Sequence, residues 1–236
     1  MTAIADNHSN GSDSGIPGGS SLERYERLHA KREAAIERRW GRFAGLVKFL
    51  TDDPQSTRAW KTGSAGERKL ANYLRDRLGE SAVLLHDRRV PRTRGNIDHL
   101  VVAASGVWVI DAKLWKGLIE LRDVGGWFKV DRQLYVGGRR QTKLIDGIGW
   151  QVEAVKTALD APDVPVRPAV CFLDGEWKLF PKPIEINGVL VCWPKKLVEK
   201  ISEDRALKPA EVLAVAGYLA KSLPPKAAPS SASPRN

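Results

Sequence analysis

Cysteine is nearly absent from the 236 residues. Cys171 and Cys192 are the two, each inside an apolar run, with no C-x-x-C pair and no Cys/His cluster at metal-ligand spacing. A disulfide scaffold and a structural zinc site are thereby excluded, and a reducing cytoplasm is the expected compartment. Long apolar runs are missing too. No stretch reaches the roughly 18 consecutive apolar residues that a bilayer crossing needs. The amino end, MTAIADNHSNGSDSGIPGGSS, has no basic patch followed by an apolar core, so neither a membrane span nor a secretory signal is expected. Internal repeats are also lacking, and His8, His29 and His86 stand in no partner pattern. What is present is ordinary core material, 42% apolar against 28% charged, which fits one globular domain and not a disordered chain. Thirty-eight Lys and Arg against 28 Asp and Glu leave a net charge of +10 and a pI near 9.7. Such an excess favours an anionic partner such as nucleic acid.

Composition divides the chain. Residues 1–20 are Gly, Ser, Asn and Asp, and residues 222–236 are rich in Pro, Ala and Ser, so both ends read as disordered. Between residues 21 and 50, Leu22, Tyr25, Leu28, Ile36 and Phe43 keep a loose helical period in a long basic helix. Eight Lys and Arg against four Glu allow either a phosphate contact or a solvated helix lying on the domain. Residues 57–221 form the main domain. A helix opens near Thr62 or Ser64, carries Leu70, Tyr73, Leu74 and Leu78 on one stripe, and stops at Gly79. Strands are expected at 81–85, 97–103, 107–114, 118–121 and 127–130, then a helix over 147–160. The runs PVRPAVCFLD and INGVLVCW read as strands buried on both faces, followed by helices at 195–200 and 209–221. This order describes an α/β domain with a mixed central sheet.

The informative stretch is GNIDHLVVAASGVWVIDAKLWKG, two β-branched runs meeting at Ala104, Ser105 and Gly106. Pairing about a centre between Ala104 and Ser105 sets Asp98 across from Asp111; a shift of one residue sets it nearer Lys113. Asp111 and Lys113 share a face, ~7 Å apart at their Cα atoms. Charges inside a Val, Ile, Leu and Trp hairpin cost several kcal/mol to desolvate unless paired or metal-bound. A buried Lys–Asp salt bridge is one explanation. Glu67 and Gln151 point to another, since each lies on or near the apolar face of its helix, Glu67 before Leu70 and Leu74, Gln151 between Ile148 and Val155. Asp, then Asp-x-Lys, with a helical Glu before and a helical Gln after, is a set suited to metal-assisted phosphodiester hydrolysis. Hard oxygen ligands take Mg²⁺, while a lysine can orient water or neutralise charge on phosphorus.

With these motifs the chain resembles the nuclease-related domain (NERD) family, a branch of the PD-(D/E)XK nuclease superfamily. The resemblance runs from about residue 63 to 191, through GSAGERKLANYL, RRVPRTRGNIDHLVV, GVWVIDAKLWKG, the helix bearing Gln151, and AVCFL. It implies a restriction-endonuclease-like αβββαβ core, Asp98 and Asp111 as metal ligands, Lys113 as the catalytic lysine, and Glu67 and Gln151 as supporting groups. Asp111 stands where many relatives carry Glu, the superfamily pattern accepting either. The implied activity is a Mg²⁺-dependent nuclease, with Mn²⁺ as a substitute, acting on nucleic acid and on DNA more than RNA. A non-catalytic nucleic-acid-binding or partner-recruiting module is the rival. Arg88, Arg89, Arg92 and Arg94 precede Asp98 and are expected to clamp a phosphate backbone, with a solvated charge run as the plain alternative. Trp115, at a strand end, could stack a base. His99 follows Asp98, so it faces the other side of the sheet as a packed core histidine. A homo-oligomer is compatible with all of this.

Overall fold

A computed structural model describes Pro17 and residues 55–93, 95–126, 129–179, 181–203 and 205–226; for 55–62 it describes the backbone. The helix expected over 21–50 and the tail beyond 226 lie outside the described residues. The first described helix, α1 (Gln55–Leu78), is longer than its apolar stripe and ends in a short 3₁₀ turn at Gly79–Ser81. Three strands follow, β1 (Ala82–Arg89), β2 (Asn96–Ala103) and β3 (Gly106–Lys113). Then come β4 (Gly117–Asp123), β5 (Arg132–Val136), β6 (Arg139–Arg140), α2 (Lys143–Leu159) and β7 (Val166–Phe172). The chain continues through β8 (Gly175–Glu176), β9 (Ile184–Ile186), β10 (Val189–Cys192), α3 (Pro194–Glu203) and α4 (Pro209–Ser222).

The main sheet has the order β1-β2-β3-β7-β10-β9. Its first three strands are antiparallel, β7 lies parallel to both β3 and β10, and β9 returns antiparallel at the edge. This is the mixed sheet and the αβββαβ order of a restriction-endonuclease-like core. Side chains alternate across it, so each face has its own apolar cluster. Trp108, Ile110 and Cys171 pack with Leu70 and Leu74 of α1 and Leu197 and Ile201 of α3. On the other face Val107, Val109 and Val170 pack with Val152 and Val155 of α2 and Leu219 of α4. Cys171 and Cys192 sit side by side on β7 and β10 as free, buried thiols.

Several boundaries differ from the sequence expectation. The strand expected at 127–130 is displaced: Lys129 and Val130 belong to a connection, and pairing resumes at Arg132. That connection is closed by main-chain bonds, Val124 N–H to Asp131 O and Lys129 N–H to Gly126 O. The run INGVLVCW is no single strand. Asn187 and Gly188, at φ 50° and 74°, turn the chain between β9 and β10, the left-handed pair that a two-residue hairpin requires. The last correction concerns the tail, expected to begin at residue 222. Leu223 is buried, Arg89 N–H donates to Pro224 O, Lys226 N–H donates to Asp87 O, and Pro225 bridges Arg88. Edge strand β1 has open main-chain groups, and these residues meet them.

Candidate active site

The β2–β3 hairpin sets the geometry. Ala103 pairs with Gly106 and the ladder runs to His99↔Ile110, centred between Ala104 and Ser105. One step further, the same register sets Asp98 across from Asp111, where the expectation placed it. Gly106 is needed at the turn, since its φ is 115° and a Cβ there would run into Pro165. Lys113 Nζ donates to Asp111 Oδ1 at 2.6 Å, an ion pair whose side chains are 22% and 12% exposed. Such a pair is partly desolvated yet reachable from solvent.

Glu67 is buried at 5% exposure. Its helix crosses the end of β3 closely, for a Cβ on Gly66 would meet Leu114 Cβ at 3.0 Å. Burial raises the Asp98 carboxyl well above its ordinary range, helped by the charges of Glu67, Asp111 and Asp87 and opposed by Lys113. The structure therefore brings Glu67, Asp98, Asp111 and Lys113 together. Gln151 lies on α2 beside Trp150, whose ring covers Gly95 in the approach to Asp98. Its Oε1 is enclosed and receives no hydrogen bond, so an acceptor is held without a donor.

Two residues near Asp98 were not singled out from the sequence. Asn96 Nδ2 donates to Asp98 Oδ1 at 3.0 Å and to Asp87 Oδ1 at 3.1 Å, linking two carboxyl groups. Asp87 is buried and holds φ 48°, a left-handed residue within β1. The β1 ladder joins His86↔His99 and Arg88↔Ile97 on either side of it. The only advance signal was the proximity of Asn96, two residues before Asp98.

The arginine run divides. Arg88 is wholly buried, its guanidinium donating to Leu223 O at 2.5 Å and Ala220 O at 2.6 Å. It closes the C-terminal end of α4, where carbonyls lack helical partners, so its expected role as a phosphate clamp is withdrawn. Arg89 and Arg92 are exposed, Arg92 in a turn at φ 61°; Arg94 lies outside the described residues. Trp115 is half-buried, tilted against Phe172 at 6.2 Å, with Lys113 Nζ 6.0 Å from its ring centre. His99 is a core residue as expected, and its Nδ1 lies 2.9 Å from Nδ1 of His86. Burial lowers His86 to about 4 and His99 well below the usual histidine range.

Among the described residues no three of His, Cys, Asp and Glu gather as a metal-ligating group. Asp98 and Asp111 nonetheless fit a hard cation such as Mg²⁺, which takes one or two carboxylates and fills its other positions with water and phosphate. Comparison with curated proteins and with solved structures returned no match. No helix among the described residues is long and apolar enough to cross a membrane. The family model for the nuclease-related domain matches residues 62–173, a span that opens in α1 ahead of Glu67 and closes just after β7. It contains Glu67, Asp98, Asp111, Lys113 and Gln151, and over this span the chain matches the nuclease-related domain (NERD) family.

Proposed function

We propose that the protein is a divalent-metal-dependent nuclease that hydrolyses phosphodiester bonds of nucleic acid, DNA in preference to RNA. The observation that carries this reading is the charge of Asp111 acting on buried Asp98, with Lys113 ion-paired to Asp111, just past the last hairpin pair His99↔Ile110. Asp98 and Asp111 would hold Mg²⁺, which supplies Lewis acidity at the phosphoryl oxygen and a bound water of lowered pKa. Lys113, with its stem packed and its ammonium reachable, neutralises charge that gathers on the phosphoryl oxygens during attack. Asn96 fixes the rotamer of Asp98 by donating to it. Glu67 adds negative charge beside Asp98 and so favours a cation there. Gln151 offers its unused Oε1 to a water or a substrate donor. Burial keeps bulk water from screening these charges.

The test is cleavage of plasmid, linear duplex and single-stranded DNA, and of RNA, with Mg²⁺ or with EDTA. Metal-dependent cleavage is expected; its absence on every substrate ends the reading. Because no three-membered ligand cluster gathers among the described residues, a second reading is a nucleic-acid-binding module that keeps the fold without turnover. Calorimetric titration with Mn²⁺ separates the two, since Asp111→Asn should abolish metal binding in a nuclease and change nothing in a module that binds none.

A further inference from the structure

Beside the Asp111–Lys113 pair lies a cleft of about 520 Å³, lined by Trp115, Lys116, Val136, Gly137, Arg139 and Gln141. Its two rims are the β3–β4 connection and the β5–β6 turn. These are locked together through main chain: a Cβ on Gly117 would come 2.7 Å from Gly137 Cα, and Gly137 N–H donates to Leu118 O at 3.0 Å. Gly117 and Gly137 hold φ 104° and 55°, a conformation glycine adopts without strain. Lys116 and Arg139 are thereby presented from two backbone-fixed turns and not from a loose loop.

The cations of this small sheet differ in their partners. Arg122 and Lys178 both pair with Glu120 at 2.6 and 3.4 Å. Lys116 and Arg139 are exposed and pair with no carboxylate among the described residues. Two unneutralised cations on opposite rims leave a concave site that favours an anion. Trp115 lines the cleft, and Lys113 Nζ stands 6.0 Å from its ring centre. Trp115 is thus shared by the lining of the cleft and the surroundings of Lys113. An aromatic ring shared by a cationic cleft and a phosphate-handling lysine suits a polymer with alternating phosphates and base faces better than a single anion.

We propose that this cleft binds the nucleic-acid strand next to the scissile bond, with Lys116 and Arg139 on a neighbouring phosphate and Trp115 against a base. The proposal rests on the nuclease reading for the location of the scissile bond, while its charge chemistry is independent of turnover. The arginine loop before Asp98 approaches the centre from another strand, so the two regions give separate contacts.

The test uses the full chain and fluorescein-labelled duplex DNA in EDTA, with anisotropy recorded across a salt titration. Lys116→Ala/Arg139→Ala should lower the log-log salt slope by about 1.8, two contacts at about 0.9 each, and weaken binding at low salt at least tenfold. Lys116→Arg/Arg139→Lys should restore the slope, which a purely structural role would not do. An unchanged slope and affinity in a double-Ala variant with wild-type circular dichroism and melting overturns the cleft. Should that variant melt early, the single variants are compared; a slope fall of about 0.9 in each supports the cleft, and none in either overturns it. A wild type that binds with the expected slopes but never cleaves with Mg²⁺ sinks hydrolysis and leaves the cleft supported. A wild type that cleaves while slopes stay fixed sinks the cleft alone.

Discussion

The two ends of the β2–β3 hairpin are built on opposite principles. At the turn end the buried side chains of Ser105 and Trp108 have partners: Ser105 Oγ donates to Ile201 O at 2.6 Å and accepts from Trp108 Nε1 at 2.9 Å. Leu207 N–H donates to Ala104 O there. The nearby cavity of about 510 Å³ is mostly apolar, with Val83, Ala103 and Val212 among its walls. At the open end carboxyl groups crowd together, Asp98 is driven toward its neutral form, and Gln151 keeps an enclosed oxygen without a donor. One ribbon thus has an end where interactions are completed and an end where they are left incomplete. Incomplete interactions lower stability and await something that binds.

Removing the incomplete end should cost activity and little stability. Asp111→Asn and Lys113→Ala should each lower cleavage on the order of a thousandfold. Asp98→Asn should do the same while leaving the melting temperature unchanged or raised, because it replaces a carboxyl whose charged form burial and its neighbours oppose. Single-turnover rates and thermal melts on the same samples check both halves. A large drop in melting temperature for Asp98→Asn would mean the carboxylates are structural and the contrast is false.

The next effect separates the sheet's faces by pH. His86 is buried with a pKa of about 4, against 6.5 when unfolded. Between these values the unfolded chain binds more protons, so stability is complete above about 6.5 and falls as the pH drops toward 4. The loss should reach on the order of 3 kcal/mol for this group. Urea unfolding at pH 7 and pH 5 measures it; because buried His99 shifts in the same direction, His86→Gln should lessen the dependence and His86→Gln/His99→Gln should flatten it. An equally steep fall in the double variant would assign the effect elsewhere.

Ser105→Ala should destabilise by about 2 kcal/mol, because it leaves Ile201 O and Trp108 Nε1 without their buried partner. Activity per folded molecule should be unchanged. A variant as stable as the wild type in denaturant titration would show that water replaces the hydroxyl. The smallest effect is expected from Glu67→Gln and Gln151→Ala, about tenfold each in activity, since they act through groups that hold the cation or substrate. If either matches Asp111→Asn, its role is direct and not supporting.

The legible part of this molecule was the part encoded by period two. A short hairpin with apolar runs on both arms fixes register, and register alone opposes Asp98 to Asp111. The burial of Glu67 and of the Gln151 Oε1 was readable because each residue interrupts a helical stripe. Asp87 was hidden because nothing in its own strand marks it as part of the site: it is buried in the left-handed region, and its link to Asp98 passes through Asn96. Arg88 misled for a different reason. An arginine in a basic run reads as surface, and nothing local announces that the end of α4, more than 130 residues later, will accept its guanidinium. His86 and His99 stood alone in the sequence and meet only across strands. The Asn187-Gly188 signal was present and sufficient for a hairpin, yet the apolar run around it obscured the turn.

The strip Leu223–Lys226 along β1 has a consequence for how the protein meets copies of itself. An edge strand is a template for another chain, since its main chain offers donors and acceptors in a row. Here Arg89 N–H and Asp87 O are already engaged by Pro224 and Lys226. The strip does this with Pro224 and Pro225, residues that have no N–H to offer a further strand. It therefore covers this edge of the sheet with residues that offer no donor of their own at Pro224 and Pro225. A chain ending at Ser222 would lose that cover, and the outer half of β1 would be open to pairing between molecules.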